Sequence, residues 1–133
     1  PDSIADRVEI MKRCAAQEQT PAAFAAEWAD ADGKILRRIA RAKTALDKLA
    51  VPDALLADMA TLCRAVGADG LRGELTLMRA ARASAALDGA KAVARKHVAA
   101  VAPLALRHRL RRNVLDETGS TVRIERALAE LFG

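Results

Sequence analysis

The sequence predicts an all-α protein, a bundle of six or seven helices forming one domain over residues 1–133. Alanine supplies 32 of the 133 residues, while aromatic side chains make up only 2% of the chain. Alanine, leucine and arginine favour helices, whereas a sheet core needs β-branched and aromatic side chains. Apolar residues also recur three and four positions apart, which is the repeat of a helix that buries one face.

Cap and breaker residues divide the chain into its predicted helices. Serine, threonine or aspartate begins a helix, proline is favoured at its first position, and glycine often ends it. The predicted segments are 4–17, a short helix from Pro21 carrying Phe24 and Trp28, a third helix after Gly33 reaching about Leu49, 53–67, 72–87, 95–110 and a terminal helix from Ser120 or Thr121. Asp30-Ala-Asp-Gly33 should separate the second helix from the third. Pro103 should kink or divide the helix that contains it.

The apolar face of these helices predicts a core. Its expected members are Ile35, Ile39, Leu46, Met59, Leu62 and Met78. Cys14 and Cys63 lie far apart in helical sequence, so we interpret both as small buried hydrophobes in a reducing compartment. The longest apolar run is nine residues, well short of the roughly 20 that span a membrane. We expect a soluble, cytoplasmic protein, and the start at Pro1 suggests a piece of a longer one.

Motifs for catalysis or metal binding are not found in the sequence. A phosphate-binding loop needs G-x-x-x-x-G-K-[ST], but Gly33-Lys34 is followed by Ile35 and lacks the upstream glycine. Residues 114–117 superficially resemble the acidic signature of an ATPase strand, yet they follow Arg111-Arg112-Asn113, where no strand fits. His97 and His108 have no carboxylate or cysteine at ligand spacing, so no metal site is predicted there.

A basic segment lies between Ala90 and Leu115. It contains no acidic residue, whereas the whole chain carries a formal charge of only +5. Its basic members are Lys91, Arg95, Lys96, Arg107, Arg109, Arg111 and Arg112. The segment could be a solvated cluster near a helix end, a protein contact or a nucleic-acid site. The last is disfavoured because the segment has no aromatic residue to stack on a base.

The most suggestive motif is Gly70-Leu-Arg-Gly-Glu-Leu75. Two glycines flank Arg72 where a loop becomes a helix, and glycine permits unusual backbone angles and close approach to another surface. Arg79 lies two turns further along, on nearly the same face. By itself, an arginine in the first turn of a helix is also a common surface residue.

Three long blocks of the sequence resemble the AAA+ ATPase I subunits of magnesium chelatases. They are DGLRGELTLMRAAR from Asp69, AALDG from Ala85 and VAPLALRHRLRR from Val101. The opening RVEI from Arg7 and the closing LDETGS from Leu115 also fit, so the similarity spans essentially the whole chain. Asn113-Val114, Ser84 and Ala94 depart from the usual pattern, which has a helix-capping serine or threonine at the position of Ala94.

The resemblance implies a C-terminal helical lid domain whose ATP-binding α/β domain lies outside this chain. Family members form hexameric rings and, with D and porphyrin-binding H subunits, use ATP and Mg²⁺ to drive Mg²⁺ insertion into protoporphyrin IX during (bacterio)chlorophyll synthesis. Arg72 matches the second-sensor arginine, and Arg79 would be a second arginine on the phosphate side. The lid would hold no catalytic residue, metal or cofactor of its own. We expect a subunit contact at Arg107, Arg109, Arg111 and Arg112.

Other functions fit parts of the same pattern. The related D subunit and MoxR-type ATPases share individual blocks, and a free-standing basic helical adaptor would have similar composition. The D subunit continues into an acidic linker and a further domain, which favours the I subunit for a chain ending at Gly133.

Overall fold

The computed structural model describes residues 3–68, 70–110 and 119–133, and all regular structure in these ranges is helical. The helices are α1 (Ile4–Gln19), α2 (Pro21–Leu46), α3 (Asp53–Ala65), α4 (Gly70–Leu87), α5 (Arg95–Leu106) and α6 (Ser120–Phe132). Within the described ranges, β-type pairing is limited to two isolated bridges, Ala50 with Ala92 and Ala68 with Leu110. The all-α prediction is therefore confirmed.

Contacts divide the chain into two compact units, Pro1–Ile39 and Ala40–Gly133. The hydrophobic core described by the structure belongs to the second unit, where α4 packs most extensively against α5, and α3 and α6 complete the bundle. Much of this core consists of small side chains, since Ala81, Ala85 and Ala102 are fully buried among larger aliphatic residues. The assignment of residues 1–133 to a single domain stays a prediction.

The predicted break at Asp30-Ala-Asp-Gly33 is wrong, because α2 runs through it without interruption. Gly33 does not adopt a positive φ angle. A glycine in a helix interior costs only about 1 kcal/mol relative to alanine, and aspartate costs less. These costs are too small to interrupt α2 at this point.

Two expected core residues are exposed. Ile35 is 58% exposed and Ile39 is 40% exposed, so their assignment to the core is wrong. Met59 and Leu62 are buried as predicted, and Leu46 and Met78 pack against the core while half-buried. Hydrophobic periodicity identifies which face of a helix is apolar, but it does not say which element covers that face.

Helix ends differ from the prediction by up to four residues. The helix α5 continues past Pro103 and ends at Leu106, not at Leu110.

The C-terminus of α2 is capped by a side chain of α4. A guanidinium nitrogen of Arg82 donates a hydrogen bond of 2.7 Å to the carbonyl oxygen of Leu46. That carbonyl is the last of α2, so Arg82 caps the C-terminus of that helix, where a positive charge is favoured.

Candidate functional site

The start of α4 is a loop-to-helix junction with Arg72 in its first turn. Gly70 has a φ angle of 57°, in the left-handed region that a side chain disfavours, and an added Cβ would meet no atom within 4 Å. The glycine is therefore needed for its backbone angle. The helix begins at Gly70, two residues before the predicted start, and Asp69 lies outside the described residues.

The second glycine of the motif has a different use from the one expected. A Cβ at Gly73 would lie 3.2 Å from the Cβ of Ala68 and 3.8 Å from both Cys63 Sγ and Leu106 Cδ2. Gly73 is buried, so it allows α4 to approach the core of its own domain and not a separate surface. This close packing fixes the first turn of α4, and with it the backbone that carries Arg72.

The side chains of Arg72 and Arg79 both project into solvent. Among the described residues, neither side chain has a hydrogen-bond or ion-pair partner. They are seven positions apart in the sequence, which places them on nearly the same face and about 10 Å apart along the helix. Leu71 is 77% exposed and Leu75 is 46% exposed beside them. We call the four residues Leu71, Arg72, Leu75 and Arg79 the α4 surface.

Sequence reasoning missed the two leucines and Glu74. The two leucines follow the helical repeat, but without a structure they are indistinguishable from core residues. Oxygen Oε2 of Glu74 is buried and accepts no hydrogen bond from the described residues. Burial, together with the charge of Glu74, raises the pKa of the Cys63 thiol from 9.0 to about 12. The predicted burial of Cys63 is therefore confirmed, whereas Cys14 is exposed and its predicted burial is wrong.

The basic segment does not form one patch in the described residues. Arg95 Nε lies 2.8 Å from Asp58 Oδ2, and Lys96 Nζ lies 3.8 Å from Asp88 Oδ2, both at the start of α5. Arg107 and Arg109 follow the other end of this 12-residue helix, about 18 Å away.

Of the four arginines expected at a subunit contact, Arg111 and Arg112 lie outside the described residues. Arg107 is exposed, and its Nε donates a hydrogen bond of 2.9 Å to Nε2 of His108. Arg109 is half-buried. The described part of the predicted contact is thus a short basic turn after α5.

The two histidines occupy different environments. His108 is exposed, whereas His97 is 2% exposed. The described residues contain no group of three or more histidine, cysteine, aspartate or glutamate side chains placed to hold a metal ion. Nor does any helix among them combine the length and apolar character that a membrane span requires.

Known proteins resemble this chain over almost its whole length. The Magnesium-chelatase 38 kDa subunit of Cereibacter sphaeroides is 50% identical over 132 residues, covering 99% of this chain and 40% of that protein. The subunit of the same name from Rhodobacter capsulatus is 49% identical over 130 residues, covering 98% and 37%. The chain therefore spans about two fifths of the length of these curated relatives.

A solved structure is also similar in sequence. It is a complex between subunits BchI and BchD of magnesium chelatase, based on a single-particle cryo-EM reconstruction. The identity is 44%, the coverage is 96% of this chain and 37% of that chain, and the TM-score is 0.45.

The start of α4 lies within a region of the sequence that matches a family model. The family is the AAA lid domain, and its model matches residues 56–129. This range includes all of α4 and α5 and most of α3 and α6. More than half of the chain is therefore matched, and the chain belongs to the AAA lid domain family.

Proposed function

We propose that this chain is the helical lid of the ATPase I subunit of a magnesium chelatase. In that role it couples ATP binding and hydrolysis to Mg²⁺ insertion into protoporphyrin IX in (bacterio)chlorophyll biosynthesis. The proposal is supported by two relatives, about half identical over nearly the whole chain, that carry the magnesium-chelatase name. The lid is an accessory to the reaction, so the ligase-type activity would belong to the complete subunit.

One observation carries the proposed site: Arg72 presents a guanidinium group to solvent from a helix start that is packed tightly on the core. Such a group can meet the γ-phosphate of ATP held by another domain. A guanidinium can engage two phosphoryl oxygens at once and stays charged. ATP would provide the bond that is hydrolysed, and Mg²⁺ would bind its phosphates. Arg72 would add a positive charge beside the phosphoryl oxygens on which negative charge develops in the transition state.

The same proposal covers the partners. The lid would contact its own ATP-binding domain, neighbouring I subunits in a hexameric ring, and the chelatase D and H subunits. No membrane or nucleic-acid partner is included, and the location is cytoplasmic.

A lid exchange tests the proposed function directly. In the Cereibacter sphaeroides subunit, the matching 132 residues would be replaced by this chain, and magnesium insertion would be assayed with that organism's other subunits. Because half of the residues are shared, the chimera should hydrolyse ATP and insert Mg²⁺. A folded chimera that hydrolyses ATP but inserts no Mg²⁺ would indicate the lid of a different ATPase. A folded chimera without ATP hydrolysis would show that this chain does not act as the lid.

The isolated chain should not bind Mg-ATP with micromolar affinity. A phosphate-binding loop and metal-holding carboxylates provide most of that affinity, and the sequence contains no such loop. Isothermal calorimetry of the 133-residue chain with Mg-ATP should give only heats of dilution. A clear saturable isotherm would contradict the assignment to a lid.

Reversing charge at Arg107 and Arg109 should weaken subunit assembly. Both follow α5 in the basic turn, and a charged rim residue changes the rate and salt dependence of association. We expect Arg107→Glu with Arg109→Glu to reduce ring formation by the full-length protein in analytical ultracentrifugation, while the chain remains helical. The control is Arg37→Glu with Arg41→Glu on α2, which alters the net charge equally. If assembly and chelation survive the Arg107 and Arg109 reversals unchanged, the turn is only a solvated surface.

A further inference from the structure

The turn between α3 and α4 leads from the core into the α4 surface, and backbone hydrogen bonds close most of it. The N–H of Gly67 donates to the carbonyl oxygen of Arg64 at 3.1 Å. The N–H of Ala68 donates to the carbonyl oxygen of Cys63 at 2.9 Å. With Gly67 at a φ angle of 69°, these two bonds form a Schellman motif. The motif does not provide a donor for the carbonyl of Val66, the C-cap residue of α3.

Arg123, near the start of α6, supplies a donor for that carbonyl. Its Nη2 donates a hydrogen bond of 3.0 Å to the backbone oxygen of Val66. Val66 is 1% exposed, and a buried carbonyl without a partner is costly. The positive guanidinium is also favourable at the C-terminus of α3, which is the negative end of the helix dipole. Arg123 therefore caps α3 from a different helix.

The backbone that carries Arg123 is itself held by the core. Ile124 is fully buried and Ala127 nearly so, so the start of α6 is packed against its neighbours. The Arg123 side chain is half-buried and lies beside Gly67, where an added Cβ would be 3.6 Å from Nη2. The guanidinium group is thus an anchor for the turn.

The same turn also contacts the first turn of α4. A Cβ added at Gly73 would lie only 3.2 Å from the Cβ of Ala68, so these two residues pack at close range. Gly73 directly follows Arg72 in the chain. A displacement of the turn would therefore be transmitted to the backbone of Arg72.

We propose that Arg123 is a positioning residue for Arg72. By fixing the turn that leads into α4, it holds Arg72 where its guanidinium can meet the γ-phosphate of ATP. The role of Arg123 rests on the proposed function of Arg72, because its effect on hydrolysis is exerted only through that residue. Arg123 itself faces the turn and does not contact ATP.

ATP turnover by the full-length protein tests this role. Arg123→Met keeps an aliphatic stem but removes the donor and the charge. We expect kcat for ATP hydrolysis to fall about 10-fold while KM changes less than about 2-fold, since a small displacement of a group that acts in the transition state lowers kcat. Arg123→Lys keeps a donor and should recover most of the loss. Arg126→Met, on the exposed face of α6, is the matched control and should leave turnover unchanged.

A double variant shows whether Arg123 acts through Arg72. Arg72→Ala with Arg123→Met should turn over ATP at the same rate as Arg72→Ala alone. A further loss of about 10-fold would overturn the proposal, because the two residues would then act independently. Unchanged turnover by Arg123→Met would also overturn it. Loss of helicity in Arg123→Met, measured by circular dichroism, would assign this residue a purely structural role.

Nuclear magnetic resonance of the 133-residue chain tests the positioning itself, whatever Arg72 does. The amide ¹⁵N order parameters of Leu71, Arg72 and Gly73 should be about 0.85 and should fall toward about 0.6 in Arg123→Met. Unchanged order parameters would show that Arg123 does not hold the start of α4. If the order parameters fall but Arg72→Ala has normal turnover, the anchor is supported and the proposed function of Arg72 is refuted.

Discussion

Replacing Arg72 by alanine in the full-length protein is expected to lower both ATP turnover and magnesium insertion by about 100-fold or more, the typical loss when one positioned charge-stabilising donor is removed. The guanidinium is exposed and forms no ion pair with the described residues, so its loss should not disturb the fold. Steady-state ATPase and chelation assays measure the effect. Circular dichroism should show unchanged helicity and Tm.

Two further substitutions make this result specific. Arg72→Lys keeps the charge but loses the planar fork, so it should recover activity only in part. Arg64→Ala removes another exposed arginine, from the last turn of α3, and should leave turnover unchanged. Near-normal ATP turnover and chelation by Arg72→Ala would show that the assignment is wrong. Arg79, on the same face of α4, would then be the next residue to replace.

The second large effect concerns stability. Leu62 is fully buried on α3, and truncation to alanine should lower the free energy of unfolding by about 2–5 kcal/mol. For a domain of this size, the loss corresponds to a decrease in Tm of about 7–18 °C. Thermal and urea denaturation of the 133-residue chain measure both quantities. The expected cost combines lost burial with the cavity left behind.

The same helix provides the control for Leu62. Leu56 is 38% exposed, so Leu56→Ala should change the free energy of unfolding by less than about 1 kcal/mol. The two variants delete the same atoms and differ only in burial. If they destabilise the protein equally, α3 does not present the face that the structure shows to the core.

The sequence predicted the helices well because each has its own periodic pattern and recognisable ends. The sequence-based prediction failed where the surrounding residues outweighed a short turn-like or apolar motif. Asp30-Ala-Asp-Gly33 contains residues common in turns, but each costs too little to interrupt α2. Ile35 and Ile39 fit the apolar repeat, yet burial depends on what packs against that repeat, which one chain's pattern does not contain.

The local structure around Arg72 was predicted, whereas its role stays a prediction. Arg72 lies in the first turn of an α-helix, two residues after Gly70, whose φ angle is positive. The use of Gly73 depends on contacts with α3 and α5, which are distant in sequence. The hydrogen bond from the Ala94 N–H to His97 Nδ1 at the start of α5 was also missed, since a histidine at the third helical position is not an established capping signal.

The buried alanines of α4 and α5 have a consequence for how this domain moves. An alanine side chain has no rotamers to lose on burial, whereas ordering a leucine or isoleucine costs about 0.5–1 kcal/mol in conformational entropy. The small core residues Ala81, Ala85 and Ala102 therefore add burial without that penalty. They also cannot rearrange to absorb strain, because a methyl group has no alternative position. A force applied at one end of α4 should therefore displace α5 with it, so that the two helices move as one rigid body.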